Sequence, residues 1–139
     1  MRLWDYRLIP VLPNAMLVSQ WRECIAIKRQ WEKGTLKHRL VSYVMGYDGE
    51  YFADYVTSVI IELEIRNIKF QEKYLNEILD FCNIKKVKVN NVYEKVLRYK
   101  EHNNRYLKQC YYNLQEKADR GIITQEEWQK IEDKFGGVM

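Results

Sequence analysis

The sequence predicts an all-α fold: a single-domain compact helical bundle with a non-helical N-terminal arm packed near the first long helix. Three observations carry this reading. Apolar residues recur at steps of three and four over most of the chain. Six glycines and two prolines in 139 residues are too few for a turn-rich β-sandwich or barrel. Only residues 84–89 alternate apolar and basic side chains like a strand, and a lone strand has no partner, so this stretch reads as an extended linker. The length fits one domain, residues 1–139, able to bury ~70% of the surface its unfolded chain exposes. A hydrophobic fraction of 47% excludes wholesale disorder.

The elements follow in order. Residues 3–13 contain Pro10 and Pro13 and read as an ordered arm, pinned to the core by Leu8, Ile9, Val11 and Leu12. Asn14 is expected to cap a helix over 15–32 through its side-chain oxygen. Leu17, Trp21, Cys24 or Ile25, Lys28 and Trp31 form its inward stripe, and Lys33-Gly34 ends it. Residues 35–46 read as a short helix carrying Leu40, Val41, Val44 and Met45, before a break at Asp48-Gly49. A strong helix over 50–66 buries Phe52, Val56, Val59, Ile60 and Leu63. Another over 69–81 turns Phe70, Tyr74, Ile78 and Phe81 inward. Asn91 can cap a helix reaching Tyr99. A longer helix over 103–120 stops at Gly121. Thr124 and Glu127 form a capping box ahead of a helix that buries Trp128 and Ile131, and Gly136-Gly137 opens a frayed tail.

Composition removes several function classes. No run of 18 apolar residues is present, and the N-terminus lacks a basic-then-apolar leader, so the expectation is a cytoplasmic protein with no membrane partner. Cys24, Cys82 and Cys110 form no CxxC pair and no zinc-ligand spacing with His38 or His102. They read as reduced thiols, and no metal or other cofactor is expected. There is no glycine-rich phosphate loop, no HExxH and no GxSxG.

The net charge of +4 hides an asymmetry. Residues 1–40 carry 8 basic and 3 acidic groups, residues 41–80 carry 3 and 8, and residues 81–139 carry 12 and 8. The densest basic stretch, 84–108, holds Lys85, Lys86, Lys88, Lys95, Arg98, Lys100, Arg105 and Lys108 against Glu94 and Glu101 alone. A phosphate-binding face and ordinary solvated helix faces both fit this pattern. Eleven tyrosines and four tryptophans offer stacking surfaces for bases, Tyr106, Tyr111 and Tyr112 beside the basic stretch among them. Each fits a core position equally well. His38, between Lys37 and Arg39, can reach a phosphate or sit solvated in a loop.

With the usual signatures absent, the chemical candidates are carboxylates, arginines and the chain terminus. Arg22 and Glu23 are neighbours on the first helix, about 100° apart, so they point to adjoining faces rather than at each other. Trp21 and Cys24 flank them on the apolar stripe, which puts Glu23 at the core edge. A partly desolvated carboxylate there can act as acid, base or stabiliser of positive charge, or be a plain helix-surface group.

The strings Met1-Arg-Leu-Trp4, Leu8-Ile-Pro-Val-Leu-Pro13 and Gln20-Trp-Arg-Glu-Cys24, with Leu17 between, resemble the cellular branch of the pyrimidine-dimer DNA glycosylases, the phage endonuclease V-like family. The resemblance is clearest over 1–32, and 102–116 shares it more loosely. It implies an all-α fold and a monomeric DNA repair glycosylase with associated AP-lyase activity on damaged double-stranded DNA. The implied nucleophile is the α-amine, here that of Met1, with Glu23 as charge stabiliser and acid/base. Arg22 is implied to hold phosphate beside the lesion, and Arg2 matches the arginine that follows the prototype's terminal residue. Lys85, Lys86, Lys88, Arg98 and Arg105 then become candidate DNA contacts. The chemistry is sound in outline, because an α-amine titrates near ~8, well below lysine, and is partly neutral at physiological pH.

The sequence also departs from the prototype. Arg2 directly follows Met1, so initiator removal is disfavoured. Met16 and Ala26 stand where the prototype has a DNA-contacting histidine and arginine, and residues 135–139 replace its basic aromatic tail. Two other readings therefore stay open: a non-catalytic DNA-binding relative, and a helical interaction module that keeps only the fold.

Overall fold

The computed structural model describes residues 1–85 and 97–138. Twenty residues without glycine or proline form the first long helix, α1 (Asn14–Lys33). It ends where Gly34 takes a left-handed backbone (φ 71°), and Thr35 N–H donates to the Gln30 carbonyl at 2.8 Å to close the last turn. Its buried stripe is Leu17, Gln20, Trp21, Cys24, Ile27, Lys28 and Trp31, so Cys24 rather than Ile25 faces the core.

Helix α2 (Gly49–Ile65) buries Phe52, Val56, Val59, Ile60 and Leu63, as their spacing requires, and adds Tyr51 and Tyr55. It packs against both α1 and α3 (Glu72–Ile84). Trp31 joins the three, lying edge-on to Phe52 at 6.2 Å and to Phe81 at 5.2 Å. Gly49 permits the closest approach: a Cβ there would lie 2.2 Å from the Cys82 carbonyl oxygen. The glycine begins the helix, with its N–H donating to the Lys85 carbonyl at 2.8 Å, where the sequence suggested a break.

Helix α4 (Asn104–Asp119) starts at Asn103, whose side chain accepts the Tyr106 N–H at 3.0 Å, and Gly121 (φ 73°) follows its end. Helix α5 (Gln125–Phe135) opens on the Thr124–Glu127 capping box with both bonds formed, 3.1 and 2.8 Å, and packs on α4. Trp128 and Ile131 are buried. Among the described residues there is no strand, and one cluster of buried apolar side chains runs from Leu3 to Phe135. The all-α architecture is as the periodicity indicates.

Several local expectations are corrected. The arm is not free of helix: Tyr6–Val11 forms a 3-10 segment that includes Pro10 and is capped by Asp5, which accepts the Arg7 N–H at 3.0 Å. Asp5 is fully buried and paired with the Arg7 guanidinium at 2.9 Å. Asn14 does not cap α1. Its Oδ1 accepts instead from Arg66 Nη1 at 2.9 Å, and Pro13 holds the cap position. Arg66 also donates to the carbonyls of Leu12, Ile9 and Pro10, at 2.6, 3.3 and 3.1 Å. A proline-containing arm has few backbone partners of its own, and one guanidinium at the end of α2 supplies them.

The segment expected to be helical over 35–46 is a 3-10 turn, Ser42–Gly46. It keeps Val41 and Val44 buried at a three-residue step and leaves Leu40 and Met45 exposed. The helix expected from 69 begins at Glu72, because Asn67 (φ 57°) reverses the chain and Phe70 packs edge-on against Trp21 at 6.0 Å from outside the helix. Leu97, Arg98 and Tyr99 are not helical. The Asn91 cap and most of the 84–89 linker lie outside the described residues. The Gly136–Val138 tail forms a short 3-10 turn.

Candidate active site

Gln20 is a polar residue on the largely apolar buried stripe of α1, 1% exposed. Its carboxamide acts as a piece of backbone for the N-terminal residues. Oε1 accepts the Trp4 N–H at 2.8 Å, and Nε2 donates to the Arg2 carbonyl at 2.9 Å. The Tyr55 hydroxyl, reaching in from α2, donates to the Trp4 carbonyl at 2.6 Å and lies 3.0 Å from Gln20 Oε1. The Tyr106 hydroxyl, from α4, donates to the Leu3 carbonyl. Three helices thus hold residues 2, 3 and 4 by their backbone, while Leu3 and Trp4 bury their side chains.

Glu23 lies one helical step from Gln20 on the same side of α1. Its Oε2 accepts from Gln20 Nε2 at 3.1 Å and faces the Arg2 N–H at 3.4 Å. Consecutive backbone nitrogens are separated by at most about 3.7 Å, so the α-amine of Met1 lies within about 7 Å of this carboxylate oxygen. The half-buried Met1 side chain packs on the core. The Arg2 guanidinium lies over the Trp4 ring at 5.3 Å and approaches Cys110 Sγ at 3.9 Å. Met1, Arg2 and Glu23 are therefore brought together.

The remaining candidates are distributed. Arg22 is exposed on the adjoining face of α1, beside a shallow depression lined by Ile25, Arg29 and Tyr74. Arg98 lies over the Tyr6 ring at 3.9 Å and donates to its hydroxyl at 2.7 Å. Arg105 is exposed on the first turn of α4. Lys85 follows α3 with its ammonium over the Phe81 ring at 5.3 Å. No contact among the described residues joins Lys85, Arg98 or Arg105 to Glu23, and Lys86 and Lys88 lie outside those residues.

Sequence reasoning missed Gln20 and Tyr55. Gln20 left a signal, a polar side chain on a buried stripe three residues before Glu23. Tyr55 left none, since only the packing of α2 against α1 brings its hydroxyl to Trp4. Tyr106 stood out as a stacking candidate, and its hydroxyl holds Leu3. Tyr111 is buried against Trp128 at 5.1 Å, whereas Tyr112 is exposed.

Burial settles other candidates. His102 is 6% exposed and ringed by Tyr6, Tyr43, Tyr55, Tyr99 and Tyr106, with Nε2 2.7 Å from the Tyr43 hydroxyl. Loss of solvent pushes its pKa down to about 4, so the ring is neutral at physiological pH. All three cysteines are buried and unpaired. Burial raises the Cys24 and Cys110 thiols and pushes Cys82 up to about 12, which removes them as nucleophiles. Among the described residues no three His, Cys, Asp or Glu side chains converge to hold a metal, and no helix is long and apolar enough to cross a membrane.

The fold and the site define a helical protein that fixes its N-terminal backbone against a helix carboxylate. A family model described as pyrimidine dimer DNA glycosylase matches residues 1–76, which span the arm, α1, α2 and the start of α3. The chain belongs to the pyrimidine dimer DNA glycosylase family. No curated protein and no solved structure matches it.

Proposed function

We propose that the chain is a DNA repair glycosylase with associated AP-lyase activity, acting on damaged pyrimidines in double-stranded DNA. In this reading Met1 is the first residue of the working protein, and its α-amine is the nucleophile. The observation that carries the reading is the Glu23 carboxylate, aimed at the Arg2 N–H beside that amine, while Gln20, Tyr55 and Tyr106 hold the three following residues. A nucleophile fixed by its own backbone sacrifices little entropy on attack.

The neutral amine attacks C1′ of the damaged nucleotide, and the bond from C1′ to the base breaks. The base leaves with the electron pair and is protonated. Positive charge develops on the sugar, and Glu23 stabilises it from the core edge, where a carboxylate acts more strongly than in water. The amine then gives up its protons as the sugar ring opens and the imine forms. Loss of a C2′ proton expels the 3′ phosphate and nicks the strand, and water releases the protein from the sugar. Arg2 and Arg22 contact phosphates flanking the lesion. Lys85, Lys86, Lys88, Arg98 and Arg105 supply weaker contacts along the duplex, salt-dependent as phosphate binding is. The reading needs no cofactor and a single copy of the chain.

Borohydride reduction in the presence of abasic duplex DNA should trap a covalent adduct, mapped by mass spectrometry to the Met1 nitrogen. Glu23→Gln should bind DNA like the wild type and lose turnover by ~100-fold or more. Salt-dependent DNA affinity without any adduct would establish a binding-only relative instead. Loss of DNA affinity even at low salt would leave only the fold in common with the family.

A further inference from the structure

Asp5 is fully buried, and its carboxylate is held by Arg7, two positions on. Oδ1 accepts the Arg7 N–H at 3.0 Å and Nε–H at 2.9 Å, while Oδ2 accepts from Nη2 at 2.9 Å. A fork of this kind fixes the plane of the guanidinium. The outer edge of the same guanidinium reaches away from the arm to the start of α4. Nη1 donates to Asn104 Oδ1 at 2.8 Å, and Nη2 donates to the Asn103 carbonyl at 3.1 Å. One buried ion pair thus bridges the arm to a helix 96 and 97 positions further along the chain.

The same helix returns to the arm nearer the N-terminus. Tyr106, in its first turn, donates its hydroxyl to the Leu3 carbonyl. Cys110, one turn on, has its Sγ 3.9 Å from Arg2 Nη1. The contacts form a closed circuit: residue 7 fixes the start of α4, and α4 holds residues 2 and 3 beside Glu23. Burial alone does not achieve this. Leu3, Leu8, Ile9 and Leu12 anchor the arm in the core, but apolar contact is non-directional and sets no register. Hydrogen bonds to a fixed fork weaken steeply when bent, so they do set one. A slip of the arm by one residue would carry the α-amine ~3.5 Å along its path. That equals the whole separation of the Arg2 N–H from Glu23 Oε2, 3.4 Å.

We infer that Arg7, oriented by Asp5, is a positioning residue that sets the register of the N-terminal arm against α4 and so places the α-amine beside Glu23. Both side chains act through α4 and the arm backbone rather than on the reacting atoms. The inference rests on the proposed glycosylase reading for its chemical consequence, whereas the register is measurable without any chemistry.

Removing Arg7 alone would strand a buried carboxylate and weaken the whole fold. The double variant Asp5→Asn/Arg7→Leu removes the fork without leaving a lone charge. Asn104→Leu, at an exposed position, cuts the side-chain bridge to α4 and leaves the Asp5–Arg7 pair intact. Native-state hydrogen exchange separates local release from global loss of stability. The Trp4 N–H, bonded to Gln20, reports the arm, and the Val59 N–H in α2 reports the core. Relative to Val59, the Trp4 N–H should exchange about tenfold or more faster in the double variant and about threefold or more faster in Asn104→Leu, from the usual worth of the bonds removed. At saturating abasic duplex, adduct formation by the double variant should slow by about tenfold or more, with DNA affinity by anisotropy within about twofold of wild type.

A purely structural role predicts that both amides accelerate together and that the rate per folded molecule is unchanged. Either result overturns the inference. Should the double variant not fold, Asn104→Leu decides, and Trp4 exchange unchanged relative to Val59 overturns the register lock. A wild type that forms no adduct while the exchange rates change as expected overturns the proposed catalysis and leaves the lock standing.

Discussion

Replacing Gln20 by leucine removes one buried carboxamide and keeps the side chain near its original volume. The Trp4 N–H loses its partner at 2.8 Å in a buried setting, and the half-buried Arg2 carbonyl loses its partner at 2.9 Å. Tyr55 keeps its bond to the Trp4 carbonyl, and Glu23 loses one of its two donors. An unsatisfied buried N–H costs about 2 kcal/mol, and a carbonyl with partial access to water about 1 kcal/mol. The apolar leucine returns about 1 kcal/mol by burial. The net loss should be about 2 kcal/mol, read as a lower midpoint in urea denaturation with an unchanged slope. The same change releases the Arg2 carbonyl and the Trp4 N–H, so adduct formation on abasic DNA should slow by about tenfold or more, because a displacement near 1 Å at a reacting group costs on that scale or above. A variant within about 0.5 kcal/mol of wild type that traps DNA at the wild-type rate would refute the claim that Gln20 holds the N-terminal backbone.

Two further outcomes follow from the packing and the buried histidine. Gly49→Ala places a methyl 2.2 Å from the Cys82 carbonyl oxygen and 2.7 Å from its Cα, neither of which can swing aside, so α2 and α3 must separate. It should cost about 1–3 kcal/mol by calorimetry or denaturation, and a neutral result would mean that the helices do not meet there. His102 has a folded pKa of about 4, below the ordinary ~6.5 of an unfolded chain. As pH falls from ~6.5 toward 4 the unfolded chain takes up the proton first, so stability present at neutral pH is lost through that window, by up to about 3 kcal/mol. Denaturation at pH 7 and pH 5 should show this loss, and His102→Phe should flatten it. An equal slope in both proteins would place the titration elsewhere.

The long helices were legible because burial imposes a period on the chain. The stripes of α1 and α2, the Thr124 capping box and the Gly34 stop are local patterns, and local physics decides them. The misreadings arose where a distant group competed with a local one. Asn14 looks like a cap, yet Arg66 claims its side chain across 52 positions. The 35–46 segment has enough apolar residues for a helix, but Leu40 and Met45 stay exposed while Val41 and Val44 reach the core, a three-residue step that suits a 3-10 turn. His102 falls in a polar stretch, and only tertiary packing brings the five tyrosines that bury it.

The sequence by itself determined that this chain is helical, and its first 32 residues carried the family likeness. It put Glu23 at the edge of a buried stripe and marked the N-terminal amine as a candidate nucleophile. What only the tertiary structure decided is that the Arg2 N–H, next to that amine, reaches the Glu23 carboxylate. Tyr55 and Tyr106 stand 51 and 103 positions from the backbone groups they hold, and no spacing along the chain encodes that. The physical reason is that the arm cannot satisfy its own backbone. Its polar groups must be bonded by side chains from helices packed around it, and that packing carries the N-terminus to the carboxylate.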